Sequence, residues 1–119
     1  MKLVRQPTDS KLCGQACVAT ICNISLEEAI MLVRKQGATR TRDLKRCLHA
    51  MGVPHGSRRI RGMPKEGSAL LFWTGDTGCH WTVWHNQKHY DPAAGVFRKT
   101  PKHLECAKVT SHLPIEIQP

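Results

Sequence analysis

The spacing of apolar residues changes once along this chain, at Val53-Pro54-His55-Gly56, and that change dictates the kind of fold. Before it, the pattern is helical. Residues 13–22 are nearly all small or apolar, which predicts a short buried helix closed by Asn23. Ser25-Leu26-Glu27-Glu28 is a capping box, and Leu26, Ala29, Ile30 and Val33 then recur at one face of a second helix. Gly37 is expected to end it. Thr41 is expected to cap a third helix carrying Leu44, Cys47, Leu48 and Met51 on its apolar face, with Gly52 as the stop. After the turn at 53–56 the pattern is that of strands. Ser57–Arg61 reads as a short edge strand, Ala69–Trp73 as a buried one, and His80–His85 with Lys88–Asp91 as a hairpin. Val96–Arg98 and Cys106–Thr110 add strands, and residues 113–119 form a tail with a short edge strand. Helices first and antiparallel sheet second is an α+β layout.

At 119 residues the chain has room for one domain and one core. No apolar run is long enough to span a membrane. Met1–Gln6 carries no apolar signal-like stretch, so the expected location is cytoplasmic. The six cysteines are then expected to be free thiols rather than a disulfide framework, with Cys17 and Cys47 on apolar helix faces. The spacing contains no C-x-x-C, so neither a metal nor another cofactor is expected.

The net charge is +9, with basic residues grouped at Arg34-Lys35, Arg40-Arg42, Lys45-Arg46 and Arg58-Arg59-Arg61. A solvated basic face is the plain reading, and an acidic partner the functional one. The few aromatic residues do not interleave with these clusters in the sequence, which gives nucleic acid weak support as a partner.

Chemistry concentrates at Cys13. A turn-rich stretch, Gln6-Pro7-Thr8-Asp9-Ser10, runs into the first helix, and the cysteine stands at the junction. A thiol there meets the positive end of the helix dipole and free backbone N–H groups, which favour a nucleophilic thiolate. The hairpin supplies a partner. If Asn86-Gln87 is a two-residue loop, His85 pairs with Lys88 and Thr82 faces Asp91. His80 shares the face of Thr82, so His80 and Asp91 become diagonal neighbours with backbones roughly 7–8 Å apart. His89 shares the face of Asp91 and is the chief rival to His80, while His85 points the other way. Asp91 also begins Asp-Pro-Ala-Ala-Gly, a sequence that makes turns.

Gln6, Cys13-Gly14-Gln15-Ala16-Cys17, His80-Trp81-Thr82-Val83 and Asp91-Pro92-Ala93-Ala94-Gly95 together follow a recognisable order. The pattern resembles the peptidases that remove double-glycine leaders from bacteriocin precursors, and their stand-alone relatives. The resemblance covers residues 6–95. It implies a papain-like cysteine peptidase fold over residues 1–119, with N-terminal helices packed on a C-terminal antiparallel sheet. It implies a hydrolase acting on a peptide or protein with small residues beside the scissile bond. Cys13 would be the nucleophile, His80 its base and then the acid for the leaving group, and Asp91 the orienter of the ring. Gln6 would donate to the oxyanion beside the Cys13 backbone N–H; one such donor is worth roughly 10²–10³ in rate. Gly14 would let substrate approach the thiol. Trp73, Trp81 and Trp84 are candidates to line the cleft, and Arg58–Arg61 suggests an acidic segment in the substrate. The alternative is a catalytically silent domain of the same fold that binds an acidic protein or nucleic acid through its basic face.

Overall fold

A computed structural model describes residues 1–76 and 78–117. Three helices come first: α1 (Cys13–Cys22), α2 (Leu26–Val33) and α3 (Thr41–Ala50). Six strands follow: β1 (Ile60–Arg61), β2 (Ser68–Gly75), β3 (Gly78–His85), β4 (Lys88–Asp91), β5 (Gly95–Phe97) and β6 (Lys108–Ile115). They form one antiparallel sheet in the order β1-β6-β2-β3-β4-β5. No single helix among the described residues is long and apolar enough to cross a membrane.

The helices cover one face of the sheet. Val18, Ala29, Val33, Leu44 and Leu48 pack against Leu70, Trp81, Val83 and Leu113 in a fully buried core. The other face holds a smaller apolar cluster of Ala69, Leu71 and Trp73, closed by Leu104. Leu104 belongs to a 3₁₀ turn, Lys102–Leu104, in the connection from β5 to β6. This second layer matters for the site, because it bends the connection back over β2, β3 and β4.

Several local expectations hold in detail. Ser25 caps α2 by accepting from the Glu28 N–H at 3.1 Å. Asn23 ends α1 in the left-handed region, with φ 56°. Others need correction. Helix α2 stops at Val33, with Arg34 rather than Gly37 at the left-handed position (φ 63°). Thr41 is the first helical residue of α3 and not its cap. The cap position is Arg40, and Asp43 reaches back to accept the Arg40 N–H at 2.8 Å. The expected strand at 106–110 and the tail strand after 113 are one strand, β6, paired on both sides by β1 and β2. Its length was hidden by Pro114, which lacks the N–H that a ladder position normally donates. Gln118 and Pro119 of the expected tail, and Thr77 of the expected turn at 75–78, lie outside the described residues.

The hairpin decides where the site falls. Asn86 and Gln87 both have positive φ, 51° and 58°, as a two-residue type I′ turn requires. His85 therefore pairs with Lys88, Trp84 with His89 and Val83 with Tyr90. The next step along this register sets Thr82 opposite Asp91.

Candidate active site

Four elements converge on Asp91, the last residue of β4. Its side chain is fully buried. His80, near the start of β3, presents ring Nε2 to Oδ1 at 2.8 Å. The Ala93 N–H donates to the same oxygen at 2.9 Å. Thus Asp91 orients a ring and shapes the Asp-Pro-Ala turn at once, two uses that look like alternatives in the sequence. A second histidine, His103, presents its Nε2 to Oδ2 at 2.6 Å. Burial alone would push the Asp91 carboxyl up, but the bond and charge of His80, the Ala93 N–H and His103 outweigh it and hold it low.

Cys13 reaches this group from α1. Its thiol lies near enough to the His80 ring to raise that ring's pKa, and with Nε2 on Asp91 the nitrogen left for sulfur is Nδ1. Burial opposes charge on the His80 ring, yet the Asp91 bond and the nearness of the Asp91 carboxylate and the Cys13 thiol raise its pKa to about 9. The N-cap of α1 is Leu12, which offers no side-chain acceptor. The first-turn N–H groups beside Cys13 are thus free of a side-chain cap, an arrangement suited to binding negative charge. The approach of the chain to Cys13 is pinned to the Asp91 turn, because the Gln6 N–H donates to the Pro92 carbonyl at 3.0 Å.

Gln6 lies beside the site but is committed elsewhere. Its amide nitrogen donates to the Ser10 carbonyl at 3.0 Å and lies 3.3 Å from the Ser10 hydroxyl, while its Oε1 is buried without a partner. Gly14 has a packing reason as well as the one expected. A Cβ there would collide with Thr39 Oγ1 and press on Leu44, so the glycine allows α1 to pack against the segment before α3. Cys17, one turn on, is fully buried. Burial and the nearby Cys13 and Asp91 push its thiol well up, so it stays protonated and inert. All six cysteines are free.

The rival His89 is on the same sheet face but lies between Trp73 and Trp84, with ring centroids 5.6 and 4.7 Å away. Its Nδ1 is buried without a partner, and burial holds its pKa low. His85 bonds the Ser68 hydroxyl at 2.7 Å, away from the site. His103 was not anticipated. It stands in a polar, aperiodic stretch, twelve residues from its partner, and nothing local marks it.

One hollow borders His80, a second lies on the helix-covered face of the sheet, and Cys13 lines neither. The first, about 200 Å³, is lined by Gln6, Trp73, His80, His103 and Leu104. The other, about 350 Å³, is lined by Arg40, Arg42, Arg59, Phe72 and Trp81, and it reaches Thr39, the residue packed on Gly14. The Arg59 guanidinium stacks 4.5 Å above the Phe72 ring. Aromatic and basic residues separated in the sequence are therefore interleaved in space. Trp84 lies away from both hollows. A larger cavity, about 850 Å³, is at the N-terminal residues and the β3–β4 turn, and no cysteine lines it.

Among solved structures, the chain is similar to a double glycine motif protease from an AMS/PCAT transporter, determined in complex with the leader peptide. The TM-score is 0.67 over 98% of this chain and 93% of that one. The chain has the fold of a double-glycine-motif protease. It is an α+β, papain-like peptidase fold. Sequence identity is 18%, so the likeness establishes the architecture alone. No family model matches the chain, and no curated protein matches it.

Proposed function

We propose that this chain is a cytoplasmic thiol hydrolase that cleaves a peptide or isopeptide bond. The observation that supports the reading is the His80 ring bonded to buried Asp91, with the Cys13 thiol near enough to raise that ring's pKa, at a helix start without a side-chain cap. A ring with a pKa near 9 is basic enough to hold a proton taken from the thiol. Sulfur then attacks the substrate carbonyl carbon and the oxygen gains negative charge. The first-turn N–H groups of α1 stabilise that charge. As the C–N bond breaks, His80 passes its proton to the departing amine. Water, deprotonated by the same ring, then cleaves the thioester and restores the thiol. Asp91 holds the ring in one orientation and tautomer throughout. Gln6 joins the oxyanion donors only if substrate displaces its Ser10 bonds. Free thiols suit the reducing interior of a cell.

The groove of Arg40, Arg42 and Arg59 around Phe72 and Trp81 fits a peptide segment with acidic and apolar side chains. The neighbour's bound leader peptide supports a peptide substrate. The test is a fluorogenic amide with two glycines before the cleaved bond and an acidic extension upstream. Cys13→Ala should abolish turnover at an unchanged melting temperature. Cys17→Ala should keep turnover and lose on the order of 1 kcal/mol of stability. The reverse pattern would refute the assignment. Binding of the peptide without turnover would favour the silent domain instead.

A further inference from the structure

We propose that His80, Asp91 and His103 form a binding site for a divalent transition metal of the zinc type, and that its occupation switches the thiol off. The two imidazoles present Nε2 to opposite oxygens of one carboxylate, at 2.8 and 2.6 Å. All three ligand atoms lie within 4.8 Å of one another, and among the described residues no other such group occurs. Two nitrogens and one carboxylate oxygen are a donor set that Zn²⁺ accepts, at roughly 2.0–2.2 Å each. Tetrahedral ligands at that distance stand roughly 3.4 Å apart, so a small outward turn of His103 would open the centre. His103 is free to make it, since its side chain is 44% exposed whereas Asp91 is buried. The 200 Å³ hollow beside His80 and His103 leaves room for water as the fourth ligand.

The surroundings already provide outer partners. With Oδ2 on the metal, Oδ1 keeps the Ala93 N–H. With Nε2 of His80 on the metal, that ring's remaining proton sits on Nδ1 and points at the Cys13 sulfur. Any proton carried by Nε2 leaves to solvent as the metal binds. The ring then has no nitrogen free to accept the thiol proton, which is the step the hydrolase reading requires. Metal binding itself does not rest on that reading; the loss of activity does.

The test uses Co²⁺ and Zn²⁺ on the full chain with the exposed Cys79 and Cys106 changed to serine. One equivalent of Co²⁺ should bind to Cys13→Ala as it does to the parent, with no thiolate-to-cobalt charge-transfer band in either. His103→Gln keeps an N–H for Asp91 but is a poor zinc ligand. It should weaken Co²⁺ and Zn²⁺ binding by roughly a hundredfold, at an unchanged melting temperature. Equal affinity in His103→Gln, or binding lost in Cys13→Ala, or a thiolate band, would each overturn the site. In the turnover assay, Zn²⁺ should inhibit the parent at roughly a hundredfold lower concentration than His103→Gln. Equal inhibition of both would overturn the switch. If no turnover is found, the binding measurements still decide the site alone.

Discussion

His80 and His89 lie on the same face of the same sheet, on adjacent strands, and they meet opposite fates. At the His80 end the ring bonds a carboxylate and lies near a thiol, and its pKa climbs to about 9. At the His89 end the ring lies between two tryptophans with one nitrogen unpartnered, and its pKa falls. Both rings are desolvated. What separates them is whether the strand register delivers a charged partner. Asp91 adjoins both, yet only His80 receives its oxygen. Burial alone therefore does not raise the pKa of a histidine in this sheet; a committed counter-charge does.

The contrast can be broken most forcefully at Asp91. Asp91→Asn keeps an oxygen for the Ala93 N–H, so the turn should survive. It favours the wrong tautomer of His80, and turnover should drop by roughly 10⁴ with little change in melting temperature. The same assay on His89→Leu should show turnover within about threefold of the parent, since that ring touches no reacting atom. Full activity in Asp91→Asn would remove the acid and leave a Cys-His dyad.

A pH titration sharpens the comparison. The folded value of His80 lies above its ordinary 6.5, so the folded chain holds that proton more tightly than the unfolded one. The stability His80 contributes is whole below about pH 6.5 and is lost as pH rises through about 9. His89 is lowered, so the unfolded chain takes up its proton more readily, and the stability tied to it is lost as pH falls below the ordinary histidine range. Histidine NMR should show one ring charged well into the alkaline range and another neutral in mild acid. Two rings titrating together near the ordinary value would contradict the contrast.

A smaller effect is expected from His89→Phe. It removes a buried nitrogen without a partner and keeps an aromatic ring between Trp73 and Trp84. Melting should show stability unchanged or raised by up to about 1 kcal/mol. The smallest concerns the turn that sets the register. Gln87 holds φ 58°, a region costly for a residue with a side chain. Gln87→Gly should stabilise by about 0.5 kcal/mol, the strain relieved less the added chain entropy of glycine.

The legible parts of this molecule were those set by near neighbours in the chain. Asn86-Gln87 fixes a hairpin register, and the register alone brings His80 to Asp91. The run after Leu12 starts a helix at Cys13, and Ser25 and Glu28 mark the next. The illegible parts depend on packing between distant segments. His103 reaches Asp91 because Leu104, its neighbour, closes a cluster on Leu71 and Trp73. The place of Gly14 is set by Thr39 and Leu44, which no local pattern links to it. The same holds for the groove, where Arg59 meets Phe72 only after β1 joins the sheet through β6.

The central claim is that His80 and Asp91 activate Cys13 above the other thiols. Iodoacetamide labelling at about pH 6, where an ordinary thiol is almost wholly protonated, tests it without a substrate. Mass spectrometry of each cysteine over time gives the rates. Cys13 should label well ahead of Cys79 and Cys106, although both of those are more exposed, and His80→Ala should erase its lead. The account is contradicted if Cys79 and Cys106 label first, or if the rate at Cys13 is the same with and without the imidazole.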